Sequence, residues 1–407
     1  MRFPEFSGEW EQHSLSDYLR FKNGLNPDAK RFGKGIKFIS VMDILNNASI
    51  SYDCVRASVA ATEQEISDFE VEYGDVLFQR SSETLEDIGR SNIYVDSRHC
   101  VFGGFVIRGK KIGEYEPYFM KYRLDSPYAR KSIIVKGAGA QHFNIGQEGL
   151  SKVDLFFPKY EEQVKIGDLL RIIDDRINTQ SKIIEELTTL RSALYDSIFC
   201  SPEQEMPKFR IQSFSGKWQL CQLNEICSRK SIKNKDNLYS RVLTIAAQHG
   251  LVDQESYFKK RVAGENLESY LCLEKGDFAY NKSYSSDYPW GAVKRLSNFD
   301  KGIISPLYIC FTPKPEVVDP DYLAHYFEST KWHSGISEIS GEGARNHGLL
   351  NMSVIDYFNT CHRIPDLDEQ KAIAIRLNAI AHKLQTEQEY LELLNRQKDC
   401  FLKQMFI

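Results

Sequence analysis

Two stretches of the chain space their apolar residues alternately four and three apart. In residues 158–199 the positions are Ile166, Leu170, Ile173, Ile177, Gln180, Ile184, Leu187, Arg191, Leu194 and Ile198. In residues 365–407 they are Ile373, Leu377, Ile380, Leu384, Glu387, Leu391, Leu394, Lys398, Phe401 and Met405. This is the spacing of a heptad seam. It predicts two helices, each about 60 Å long from the helical rise per residue. A long helix with one apolar stripe is marginal in water, so each stripe is expected to cover the other. The polar exceptions set the direction. Parallel packing in matched register would put Arg191 against Lys398 inside the seam, two like charges with reduced solvation. Antiparallel packing puts Arg191 near Ile380, Lys398 near Ile173 and Gln180 opposite Leu391, and lets the long cations reach solvent. An antiparallel pair is therefore expected.

The remaining sequence mixes short alternating runs with turn residues. "GDVLFQR", "CVFGGFVIRG", "GDFAYNKS" and "GIISPLYICFTP" read as strands. "EPYFMKYRLDSPYARKSII" and "DPDYLAHYFESTKWHSGI" read as helices. The chain also repeats itself once, with a period of about 205 residues, which marks a duplicated domain and not a solenoid. "FSGEWEQHSL" (6–15) returns as "FSGKWQLCQL" (214–223), and "GDVLFQRSS" (74–82) as "GDFAYNKSY" (276–284). "GAGAQHFNI" (137–145) returns loosely as "GEGARNHGL" (341–349), and "PKYEEQVKI" (158–166) as "PDLDEQKAI" (365–373). The expected plan is a first globular domain (1–157), a long helix (158–199), a linker whose prolines end that helix (200–210), a second globular domain (211–364) and a second long helix (365–407). The fold class is α+β: two similar domains separated by an antiparallel helix pair with pseudo-twofold symmetry. Such a chain would present two related but unlike surfaces at a fixed separation, an arrangement suited to two different half-sites.

Composition narrows the function. At 407 residues, 42% hydrophobic and 27% charged, the chain has material for real cores. No window approaches a membrane span, and "MRFPEFSGEW" lacks the features of a secretory signal. Nine scattered cysteines without a CxxC fit a reduced, cytoplasmic compartment with mostly buried thiols. A net charge of −4 argues against grip on nucleic acid by bulk positive charge. Local basic strings remain: "KRFGKGIK" (30–37), "RGKK" (108–111), "RKSIKNK" (229–235) and "KKR" (259–261).

Catalytic patterns are largely missing. There is no Walker A motif, and the GxG strings at 33–35, 137–139 and 341–343 do not join a strand to a helix as a dinucleotide site requires. "SDYPWG" (286–291) lacks the second proline of an adenine methyltransferase loop and reads as a surface turn. No His/Cys set has zinc spacing. "PDLDEQK" (365–371) reads as a capping box, with Asp366 at the N-cap and Glu369 at N3. What remains is recognition by polar residues on loops that recur in both halves. Arg80, Ser81 and Ser82 correspond to Lys282, Ser283 and Tyr284; Gln141, His142 and Asn144 lie near the place of Arg345, Asn346 and His347. Such side chains can read base edges, and Gly-rich turns can approach phosphates.

With these features the chain resembles the specificity (S) subunit of type I restriction-modification systems along essentially its whole length. The carriers are "FSGEW…L" and "FSGKW…L", the two Gly-Asp turns with a following Arg or Lys, and the two "P-x-x-x-E-Q" helix starts. The resemblance implies two target recognition domains, each reading half of a bipartite DNA sequence. It implies an antiparallel helical spacer that docks two modification (methyltransferase) subunits, with restriction subunits joining the assembly. It also implies that this chain is not an enzyme and holds no cofactor or metal, since S-adenosylmethionine, ATP and Mg belong to the partner subunits. The sequence between the anchors varies with the target, so the resemblance does not fix the bases read. The competing expectations are a coiled-coil scaffold with protein-binding end domains and no DNA role, and a chain with methyltransferase activity of its own.

Overall fold

The computed structural model describes residues 1–406 apart from 140–141, 247–249, 261–263, 265 and 341–347. The chain divides into two compact units. One comprises residues 1–182 and 388–407, the other residues 183–387. Each unit therefore holds one mixed α/β portion and a part of both long helices, which run Tyr160–Ile198 and Leu367–Met405.

The two units use the same strand plan. In the first, Glu11–Ser14 pairs antiparallel with Asp154–Phe157. A four-stranded antiparallel sheet runs in the order Leu19–Asn23, Val106–Lys111, Val76–Gln79, Ser91–Ile93. A second sheet orders Ser58–Val59, Phe32–Ile39, Cys100–Phe102, Glu70–Val71, with its two middle strands parallel. In the second unit the matching pair is Gln219–Gln222 with Cys361–Ile364. The matching sheets are Cys227–Arg229, Ile309–Pro313, Phe278–Asn281, Ala292–Arg295 and Gly250–Asp253, Val242–Ala246, Lys301–Ile304, Leu271–Glu274, the middle strands of the latter again parallel.

Strand periodicity explains the layering. Val76, Leu77, Phe78 and Gln79 are all buried because both faces of their sheet are covered. Val76 and Phe78 join the core that contains the long helices, while Leu77 joins a separate outer core with Val71 and Tyr94. Phe278 and Tyr280 repeat the first role and Ala279 the second. The Gly-Asp pair that opens each of these strands is structural. Gly74 and Gly276 sit at φ +90° and +98°, where only glycine is unstrained. Asp75 accepts backbone N–H groups from Glu72 (3.1 Å) and Lys111 (2.9 Å). Asp277 accepts from the Glu274 N–H (2.7 Å) and the Thr312 hydroxyl (2.5 Å).

Within each unit the helices meet as an antiparallel pair. In the first, Ile166, Leu170 and Ile173 share a core with Leu402, Met405 and Phe406. In the second, Tyr195, Ile198 and Phe199 share one with Ile373, Ala374 and Leu377. The beginning of one helix thus packs on the end of the other. All twenty seam positions, Gln180, Arg191, Glu387 and Lys398 included, are buried or half-buried. Leu190, Ile375 and Leu393, off the seam, are exposed.

Several elements are shorter than their sequence patterns suggest. "CVFGGFVIRG" is two strands, Cys100–Phe102 and Val106–Lys111, split at a glycine turn. The stretch at 116–134 is two helices, Pro117–Asp125 and Pro127–Ile134. The break falls at Ser126, because a residue before proline is driven out of the helical region; it lies at ψ 149° and caps the second helix. All nine cysteines are free: four are buried, four are half-buried and Cys400 is exposed. Burial raises the Cys100 and Cys200 thiols to about 11 and the Cys310 thiol to about 12. No helix among the described residues is long and apolar enough to cross a membrane.

Candidate nucleic-acid interface

The repeated Glu-Gln pair at the start of each long helix locks three segments together. Glu162 is paired with Arg2 through two bonds (Nε 2.8 Å, Nη2 2.7 Å), and Glu369 with Arg210 in the same way (2.8 and 2.6 Å). Gln163 accepts from the Glu116 N–H (3.1 Å) and donates to the Pro158 carbonyl (2.9 Å). Gln370 accepts from the Asp319 N–H (2.8 Å) and donates to the Pro365 carbonyl (2.9 Å). Glu116 and Asp319 are themselves the caps of Pro117–Asp125 and Pro320–Glu328. The capping box expected at 366–369 is therefore only half made. Asp366 does accept from the Glu369 N–H (2.9 Å), but the Glu369 carboxylate is taken by the bidentate arginine. Both arginines stand four residues before the Phe of the "FSG" anchor, a recurrence that was available in the sequence.

On this frame the described polar residues singled out by the repeat come together in the first unit, and in the second Lys282–Tyr284 lie against residues 348–350. Ser81 and Ser82 form a short strand paired with Phe143 and Asn144. The Ser81 hydroxyl donates to Asn144 Oδ1 (2.5 Å), and Asn144 Nδ2 donates to the His142 carbonyl (3.4 Å). Arg80 is half-buried, and its guanidinium donates to the Gly104 carbonyl (3.2 Å). His142 and Asn144 are exposed. In the second unit Ser283 bridges to Leu349, the Tyr284 N–H donates to Gly348 O (3.1 Å), and the Leu350 N–H donates to Lys282 O (2.9 Å). The last contact repeats that of the Ile145 N–H on Arg80 O (3.0 Å). Gln141, Arg345, Asn346 and His347 lie outside the described residues.

The basic strings divide. "RGKK" is tied up: Arg108 is buried, Lys110 pairs with Glu72 (3.1 Å), and Lys111 donates to the Tyr115 carbonyl (2.9 Å). In "RKSIKNK", Lys230 pairs with the buried Asp277 (3.1 Å) and Asn234 is buried. In "KRFGKGIK", Arg31 is bonded to Glu65 (Nη1 3.0 Å), while Lys30 and Lys34 are exposed. Of "KKR", Arg261 lies outside the described residues, while Lys259 and Lys260 are exposed. One group of possible metal ligands is present among the described residues, Glu70, Glu72 and His99. There, however, His99 Nδ1 is 2.8 Å from Glu70 and Lys110 is 3.1 Å from Glu72, so the acids already have partners.

This is the architecture of a chain with two related α+β domains, each anchored on both long helices. Residues 7–189 match the family of the type I restriction modification DNA specificity domain, and the chain resembles type I specificity subunits over nearly its full length. It is 21% identical over 420 aligned positions to the type I restriction enzyme MjaVIII specificity subunit of Methanocaldococcus jannaschii, covering 98% of this chain and 91% of that one. It is 25% identical over 229 positions to the putative MjaX specificity subunit of the same organism, covering 54% of this chain. In that match it spans about half, 53%, of the relative's length. Its fold is that of the type I S subunit from M. genitalium, with TM-score 0.59, 14% identity, and 100% and 99% of the two chains covered. A chain from a structure addressing complex assembly and conformational transition of the type I R-M system gives TM-score 0.55 at 12% identity, covering 98% and 97%.

Proposed function

We propose that the chain is the DNA sequence-specificity subunit of a type I restriction-modification complex, working in the cytoplasm. Each α+β domain reads one half of a bipartite target. The helix pair sets the gap between the halves and docks modification subunits, two per chain, with restriction subunits completing the assembly. The chain performs no chemistry; S-adenosylmethionine, ATP and Mg are used by the partner subunits. The observation that carries this reading is the duplication. The same strand order, Gly-Asp turn and Arg–Glu lock occur twice, while the residues that follow the repeated strand differ, Arg80-Ser81-Ser82 against Lys282-Ser283-Tyr284. Duplicated scaffolds with unlike reading residues suit two unlike half-sites. Modest net charge is compatible with this if the partner subunits supply much of the phosphate contact.

The test is selection from a random duplex pool by the chain assembled with the modification subunits of its own system. Enrichment of a split motif is expected. Capture of protein partners without any DNA preference would instead favour the scaffold reading. S-adenosylmethionine bound to the chain purified alone would indicate methyltransferase activity of its own.

A further inference from the structure

This inference rests on the DNA-reading function and adds residues to it. Phe105 is 69% exposed and Leu307 68% exposed, each at the turn between the same two strands of its unit. Their positions are equivalent by register. Gln79 pairs with Val106, so Arg80 stands opposite Phe105, and its N–H donates to the Phe105 carbonyl (2.9 Å). In the second unit the ladder ends at Tyr280 and Ile309. Lys282, the repeat counterpart of Arg80, lies two residues past Tyr280, and Leu307 lies two residues before Ile309, in the turn closed by the Tyr308 N–H on Ser305 O (3.1 Å). In both units a large apolar side chain is thus exposed at the turn that follows the paired strands, and the strand beside it continues into a cation. That cation in turn borders the polar loop at 142–145 or 348–350.

The backbone of each turn is constrained, by different means. In the first unit a Cβ on Gly103 would come within 2.7 Å of the Phe38 ring, and one on Gly104 within 1.8 Å of Asn26 Oδ1. The turn is clamped against its neighbours. In the second unit Pro306 precedes Leu307 and fixes the backbone there. An exposed apolar side chain gains nothing in the free protein. One carried on a constrained turn loses little backbone freedom when a partner covers it.

We propose that Phe105 and Leu307 each contact a thymine C5-methyl group, one in each half-site, with Arg80 and Lys282 beside them on the same base steps or the adjoining phosphates. The thymine methyl is the apolar feature of the major groove, and polar groups with a cation next to an apolar tip match its surroundings.

The test uses the chain assembled with its modification subunits and a duplex bearing the target found by methylome sequencing. Each thymine is replaced in turn by deoxyuridine, which removes only the methyl. One position per half-site is expected to weaken binding by the wild-type complex. That sensitivity should vanish at one half-site in Phe105→Ala and at the other in Leu307→Ala. Each variant should also lose roughly tenfold in affinity, the order of one lost base contact, with an unchanged thermal midpoint. Insensitivity to every deoxyuridine, a half-site without an A·T pair, or wild-type binding by both variants would overturn the proposal and leave the specificity-subunit reading standing. Failure of the wild-type complex to select any target would overturn both.

Discussion

Lys398, near the end of the second long helix, places its ammonium 2.7 Å from Asp174 Oδ1 on the first. The same carboxylate accepts from Lys121 (3.1 Å) and from the Tyr122 hydroxyl (2.7 Å), so it ties the two helices to the helix at Pro117–Asp125. Burial raises the Asp174 carboxyl, but the facing ammonium groups of Lys121 and Lys398 outweigh it and the net shift is downward. The Lys121 side chain is only 5% exposed. Asp174→Leu would leave that charge buried without its main partner and should cost about 3 kcal/mol of stability. Lys398→Met, at a position 24% exposed, should cost about 1 kcal/mol or less. Thermal or denaturant unfolding checks the ranking; equal costs would refute it. Because the folded carboxyl is depressed, its contribution is complete above the ordinary carboxylate range and is lost as pH falls through the folded value.

The Arg2–Glu162 and Arg210–Glu369 locks should be equivalent in kind. Glu369 is fully buried, and the Glu162 side chain is 2% exposed. Arg210→Met strands a buried carboxylate and should lower stability by about 3 kcal/mol. Arg2→Met, at a more exposed position, should lower it in the same direction, and Lys at either position should restore only part of the loss. Separate unfolding measurements on the four variants test this. Full rescue by lysine would show that the bidentate geometry is unimportant.

His362 gives the second unit an acid-sensitive element. Its ring is buried between the Tyr326 hydroxyl (3.0 Å) and Thr360 Oγ1 (2.9 Å), and burial lowers its pKa from 6.5 to about 4. The unfolded chain therefore takes up a proton at a pH where the folded one does not. Stability should fall as pH drops from about 6.5 to about 4 and level off below, losing at most about 3 kcal/mol in all. His362→Gln should flatten that part of the stability curve even if it is less stable at neutral pH. A curve of unchanged slope would contradict the assignment.

Much of this was legible along the chain, and the reasons for the rest are physical. The heptad stripes are local periodicities, and their twenty positions are the less exposed ones of both helices. The like-charge argument set the antiparallel direction and put Lys398 beside residue 173. It did not find Asp174, because a buried ion pair joins elements more than two hundred residues apart. The capping box is made only at Asp366 for a similar reason: Glu369 has the right local spacing, yet its carboxylate is held by a distant arginine. "RGKK" read as a local basic string, but Arg108 lies in a strand whose sheet is covered on both faces, so it is buried along with Ile107 and Gly109. The clustering of Arg80, Ser81 and Ser82 with His142 and Asn144 followed from matching anchors in the two halves. Phe105 and Leu307 were missed because an apolar residue inside an apolar run reads as core until the turn is seen.

The role of the helices as a spacer can be separated from reading. Removing one heptad from the middle of each long helix should shorten the unspecified gap in the recognised sequence and leave both half-sites unchanged. The heptad is the unit to remove because it preserves the seam. Methylome sequencing of a host carrying the shortened chain checks this, and altered half-site bases would contradict the division of labour.

Exchange of a single recognition domain bears most directly on the whole account. Residues 1–157 would be replaced by the equivalent part of another specificity subunit, keeping Arg2, Trp10, Lys121 and Tyr122, which touch the long helices or the helix end beyond them. The methylated motif would then be read in a host that supplies the modification subunits. One half of the motif should change while the other half stays as it was. Change in both halves, or in neither, would contradict the claim that each domain reads its own half of the target.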